Sequence, residues 1–139
     1  MLANTLVTNE IKDAAGAEIE FQRLSSSERA CEYGKLTELP GYPHRLSVSH
    51  AEIGSGTSRR RRSLVKFELT AQGGVDTTQS VKTSAYIVLD IPIGNVANYN
   101  DSKTVLANLM SFLATTGAAT TVLFDCSGTG AKTLVDGSV

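Results

Sequence analysis

The sequence predicts an α+β fold in which an antiparallel sheet comes first and helices come last. Two observations carry that expectation. Three long segments in the middle of the chain alternate polar and apolar residues, the pattern of strands with one buried face and one wet face. A single apolar stripe at helical spacing follows them.

The elements follow in order. Thr5–Ile11 and Ala17–Leu24 flank the turn-like Asp13-Ala-Ala-Gly16, and Ile19 and Phe21 alternate with Glu18, Glu20 and Gln22, which predicts an N-terminal hairpin. Arg29–Leu36 reads as a weaker strand, ended by Pro40-Gly41-Tyr42-Pro43. Arg45–Ile53 sets Leu46 and Val48 against Arg45, Ser47 and Ser49. After the flexible Gly54–Ser58, Arg60–Thr70 sets Val65, Phe67 and Leu69 against Arg60, Arg62, Leu64, Lys66 and Glu68. Val81–Ile93 sets Ala85, Ile87, Leu89 and Ile91 against Lys82, Ser84, Tyr86, Val88 and Asp90. Asp101 or Ser102 is a suitable cap for a helix over Lys103–Thr115, with Gly117 just past its end. Its stripe of Val105, Leu106, Leu109, Met110, Phe112 and Leu113 is the expected cover for an apolar sheet face. Ala118–Phe124 suits a short second helix or a strand, and Ser127–Val139, rich in small residues, suits a loop.

With 139 residues the chain is expected to form a single domain, residues 1–139. Its parts are a hairpin and strand over 1–36, the main sheet over 44–93, a helix over 101–117 and a tail or short second helix over 118–139. The hydrophobic fraction of 41% is that of a globular chain, and no apolar run approaches the roughly 18 residues of a membrane span. The opening MLANTLVTNEIKDAAG carries neither a basic start nor a long apolar stretch, so no secretory signal is expected.

The net charge of -1 conceals an uneven distribution. Residues 1–40 hold four basic and seven acidic side chains, residues 41–70 six basic and two acidic, and residues 71–139 three basic and five acidic. The basic island attracts phosphate irrespective of the total. Arg59 to Arg62 also suit a merely solvated loop.

No catalytic constellation assembles. His44 and His50 on one strand would share a face yet stand about 20 Å apart, too far for one metal ion. Cys31 and Cys126 lie in no motif that supplies a base, and two thiols make no metal cage or disulfide framework. Ser127-Gly-Thr-Gly-Ala-Lys132-Thr133 imitates a phosphate loop but lacks the glycine directly before the lysine. We therefore expect no enzyme, no metal site and no cofactor.

If the three long strands are neighbours, Arg45, Ser47, Ser49, Arg60, Arg62, Lys66, Glu68, Lys82, Ser84 and Tyr86 share one face. Cations there neutralise phosphates, hydroxyls bond phosphates or base edges, and the Tyr86 ring offers a base something to stack on. An ordinary wet sheet face fits the same pattern, and Glu68 and Asp90 fit simple ion pairs within it.

Several strings in this order resemble the coat proteins of small single-stranded RNA bacteriophages, the leviviruses. They are Leu46-Ser-Val-Ser-His50, Arg61-Arg-Ser-Leu-Val-Lys-Phe-Glu-Leu69, Tyr86-Ile-Val-Leu-Asp-Ile-Pro-Ile93 and the helix Asp101–Gly117. The resemblance implies a curved sheet shared across an intertwined homodimer, an icosahedral shell of many dimers, and an inner face that binds a stem-loop of the genomic RNA. Residues Ser47, Ser49, Arg62, Lys66, Glu68 and Tyr86 match positions that face RNA, and Arg45 matches another. Apolar helix residues Val105, Leu109, Met110, Phe112 and Leu113 would then meet the partner subunit. The implied site is the virion, assembled in the bacterial cytoplasm, with inter-dimer contacts from Gly54–Ser58 and Ala71–Gln79. Ser49 and Leu64 depart from the polar groups usual at their positions, which leaves the RNA hairpin open. Two other readings remain: a cellular single-stranded RNA-binding module that does not assemble, and an interaction protein that binds no RNA.

Overall fold

In the computed structural model, which describes residues 2–95, 98–117 and 121–138, six strands form one sheet in the order of the sequence. They are β1 (Thr5–Leu6), β2 (Phe21–Ser26), β3 (Ala30–Lys35), β4 (His44–Ile53), β5 (Arg60–Gln72) and β6 (Ser80–Ile91). Every neighbouring pair is antiparallel. Two helices follow, α1 (Tyr99–Ala114) and α2 (Thr129–Asp136).

The chain divides into two compact units. The first comprises residues 1–8 and 20–96 and contains the sheet. Directly opposed residues share a face, so the pairs Val48–Val65, Leu46–Phe67 and Val65–Ile87 put the apolar side chains of β4, β5 and β6 together. On that face Phe21 and Tyr33 have 0% of their surface exposed, and Leu46, Ile91 and Leu6 are buried with them. Phe21, His44 and Phe67 meet edge to face, with ring centroids 5.1 to 6.4 Å apart. The phenol of Tyr33 donates to the Ala3 carbonyl at 2.7 Å and accepts from Arg23 Nη2 at 3.0 Å. Of the β5 and β6 side chains on that face, Val65 is 40% exposed, and Leu69 and Val81 are exposed as well.

Between β4 and β5 the chain turns through a short 3-10 helix, Gly56–Ser58. Gly54 enters it at φ +83, and a Cβ there would lie 2.8 Å from the Ser58 carbonyl oxygen. Only glycine fits that turn.

The second unit comprises residues 9–19 and 97–139. The expected strand Thr5–Ile11 shortens to Thr5–Leu6, and the strand expected over Ala17–Leu24 starts at Phe21. What lies between is a turned segment in which Asp13 Oδ1 accepts from the amides of Ala15 and Ala17 and only Lys12 and Glu18 bridge. The Asp13 side chain takes the Ala17 amide, which a longer ladder would need.

Helix α1 begins earlier than Lys103. Its cap is Asn98, whose side chain accepts from the Asn100 amide at 3.0 Å, and Asp101 sits in the first turn, where its charge suits the helix dipole. The helix ends at Ala114, and Gly117 takes φ +87 beyond it. Of the stretch Ala118–Phe124, residues 118–120 lie outside the described residues and 121–124 are irregular. The second helix lies further on, over Thr129–Asp136, inside the segment expected to be a loop. Its small residues are packing devices: Gly128 and Gly130 are buried against α1, and a Cβ on Gly130 would lie 2.5 Å from the Phe112 ring and 2.8 Å from the Phe112 carbonyl oxygen.

This packing yields a prediction. Gly130→Ala forces α2 off α1 and should destabilise the protein by about 1–3 kcal/mol, the usual range for overpacking. Urea unfolding of the purified protein would read it, and an unchanged midpoint would refute the close approach.

Candidate nucleic-acid interface

The opposite face of the sheet is polar. Cross-strand pairs Arg45–Glu68, Ser47–Lys66 and Ser49–Leu64 join β4 to β5. Pairs Arg62–Asp90, Lys66–Tyr86, Glu68–Ser84 and Thr70–Lys82 join β5 to β6. All of Arg45, Ser47, Ser49, Arg60, Arg62, Lys66, Glu68, Lys82 and Tyr86 therefore occupy one surface, as strand parity predicts. Tyr86 is 65% exposed near its centre, beside the exposed Val88. Arg61, at the opposite parity, stands opposite Glu52 in the ladder on the other face, where Glu52 takes its ion pair from Arg29.

The cations on this surface are organised by carboxylates. Asp90 Oδ1 accepts from Arg60 Nε at 2.9 Å, and Asp90 Oδ2 accepts from Arg62 Nε at 3.4 Å. Glu68 Oε1 lies 2.8 Å from Lys66 Nζ and 2.6 Å from Lys82 Nζ. Arg45 shows the reverse ratio. Its guanidinium pairs with Glu38, which also accepts from the His44 amide, and lies 3.7 Å from Glu32. The sequence showed where the cations stand but not this pairing, because Glu38 and Glu32 reach Arg45 from other elements.

Hydrogen bonds from Lys66 and Lys82 hold the Glu68 carboxyl below the usual carboxylate range. Partial burial raises that of Asp90, but Arg60 and Arg62 outweigh it and leave it lowered. Burial likewise opposes Arg45 and the His44 amide at Glu38, which is also lowered. His44 is pushed below its ordinary value, first by burial and then by the charge of Lys35, in keeping with its place among Phe21 and Phe67. His50 Nδ1 lies 2.9 Å from Ser63 Oγ, so the two histidines share a strand but have separate surroundings. Cys31 is partly exposed, and Cys126 is exposed rather than buried. Among the described residues no group of His, Cys, Asp and Glu is arranged to hold a metal ion, and no helix is long and apolar enough to cross a membrane. The phosphate-loop lookalike at Ser127–Thr133 opens α2 and packs its glycines against α1.

No family model and no curated protein sequence matches the chain. Solved structures do. The coat protein of bacteriophage EMS014 superposes with a TM-score of 0.71 over 99% of this chain and 98% of that one, at 14% identity. The capsid protein of bacteriophage GA gives 0.57 over 98% and 95%, at 17% identity. A virus-like particle of Beihai levi-like virus 32 gives 0.55 over 68% and 75%, at 17% identity. The fold is that of a levi-like phage coat protein. The first two of these structures are a coat protein and a capsid protein. The shared feature is a backbone path, a hairpin-fed antiparallel sheet followed by two helices, kept while most side chains differ.

The lowered carboxyls set a direction for acid stability. A group whose folded pKa lies below its unfolded value contributes fully above the ordinary carboxylate range and loses that contribution as pH falls through the folded value. Stability should therefore drop as the pH is taken from about 5 to 3, and Glu68→Gln should make that drop shallower. The effect is modest because the pairs are exposed to solvent. Urea midpoints measured across the pH series check it; a wild-type slope in the variant would remove Glu68 from the account.

Proposed function

We propose that this chain is a structural coat protein that dimerises, assembles into an icosahedral virion shell and turns its polar sheet face toward the single-stranded genomic RNA inside. The observation that carries the reading is the sorting of one sheet into an apolar face and a cation-bearing face, on a backbone shared along its length with phage coat proteins. Cationic groups beside hydroxyls and an exposed tyrosine suit a nucleic-acid strand, with phosphates on the cations and a base on the Tyr86 ring.

Three features support an obligate homodimer. Among the described residues few large apolar side chains are buried and many are exposed, which suits a partner surface. Helix α1 offers such a surface, with Val105 62% and Phe112 56% exposed, Leu109 and Met110 exposed too, and Leu113 half-buried. Strand β6 ends the sheet, and its free edge suits antiparallel pairing with the same strand of a second copy. The loops Gly54–Ser58 and Ala71–Gln79 suit contacts between dimers, and Val75 stands fully exposed in the second. The expected place of work is the virion, formed in the cytoplasm of a bacterial host.

Expression of the full chain in bacteria followed by electron microscopy tests the proposal. Uniform closed shells are expected; a monodisperse monomer would overturn it, and RNA binding without particles would favour a cellular RNA-binding module. Replacing Arg60, Arg62 and Lys66 by alanine should lower the RNA retained and flatten its salt dependence by about 0.7 in log–log slope for each phosphate no longer neutralised. Unchanged retention would leave a shell protein whose sheet does not hold the RNA.

A further inference from the structure

The polar face holds two motifs of the same composition, one carboxylate shared by two cations. Asp90 joins Arg60 and Arg62, and Glu68 joins Lys66 and Lys82. Each acid on one strand captures at least one cation from the neighbouring strand, so the grouping depends on the β5–β6 register. The two acids face the same side, six residues apart measured along β5 from Arg62 to Glu68, or about 20 Å. Between them lie Leu64, Val88 and the exposed Tyr86. Each motif carries a net charge of +1. Arg45, with two carboxylates on one guanidinium, carries the opposite sign.

The geometry points to Asp90 and Glu68 as specificity-determining residues that limit each cation pair to one RNA phosphate, and to Arg45 as a structural cation that takes none. The inference rests on the RNA-binding reading of this face. A phosphate monoanion that reaches a motif competes with the carboxylate and draws one cation away, while the acid retains the other. The face then grips two phosphates through motifs separated by a span of several nucleotides, with room for a base against Tyr86 between them. With the acids neutralised, all four cations would be available to any phosphate nearby. Binding would be tighter, more salt-sensitive and less selective for a strand whose spacing fits. The carboxylates act through the cations and need not touch RNA.

The purified full-length chain can be tested with a fluorescein-labelled oligouridine of about 20 nucleotides, followed by anisotropy over a salt series. With a single-strand slope of about -0.7 per phosphate, two phosphates held per subunit cost the wild type about sevenfold in affinity between 50 and 200 mM salt. The isosteric double variant Glu68→Gln, Asp90→Asn, holding four, should lose about fiftyfold over the same range and bind more tightly at its low end. Each single variant should fall between, which keeps the test sharp if the double variant folds poorly. Arg45→Ala should keep the wild-type slope. A double variant and both singles with wild-type slope and affinity would overturn the carboxylate role, as would a shallower slope in Arg45→Ala. Replacing Arg60, Arg62, Lys66 and Lys82 by alanine separates the two levels. If that variant binds as the wild type does, the RNA reading of the face fails; if it is weakened while Glu68→Gln and Asp90→Asn change nothing, only the carboxylate role fails.

Discussion

The register between β4, β5 and β6 is the constraint on which the rest depends. Side chains in a strand alternate with a period of two, so a slip of one residue would carry Phe67 and Ile87 to the wet face and Lys66 and Tyr86 to the core. The edge-to-face cluster of Phe21, His44 and Phe67 resists such a slip, because it needs rings from three strands on the same side. The tight turn at Gly54 resists it too, since it sets where β5 begins relative to β4. Burying the aromatic face thereby arranges the cations on the other.

A consequence is that charge and core are set by the same geometry yet remain chemically separate. The polar face gains its order from ion pairs across strands, which contribute little stability in water because solvent screens them. Their importance lies in how much charge is left for a ligand. Asp90 and Glu68 each leave one unit of positive charge, whereas Glu38 and Glu32 leave none at Arg45. Five cations on a face thus have the pull of far fewer.

Much of this was legible in the sequence. The three long strands, their parities and the sharing of a face by Arg62, Lys66 and Tyr86 follow from alternation alone, because a pleated strand has no freedom to change its period. Helix α1 was legible from its stripe, but its start was not: Asn98 takes the cap ahead of Asp101 because its side chain reaches the Asn100 amide. The second helix was hidden, since Gly128 and Gly130 lower helix propensity and show their value only against Phe112 and its neighbours. The N-terminal segment misled in the other direction, as Asp13 bonds the Ala17 amide, which alternation had assigned to a strand.

The sequence by itself determined the class of the fold, the sidedness of its sheet and the location of its basic residues, all of which depend on local periodicity and composition. Only the tertiary structure decided which carboxylate holds which cation, where the glycines of the last helix pack, and which apolar residues stay exposed. Those depend on residues far apart in the chain arriving at the same place, and no period along the chain records that meeting.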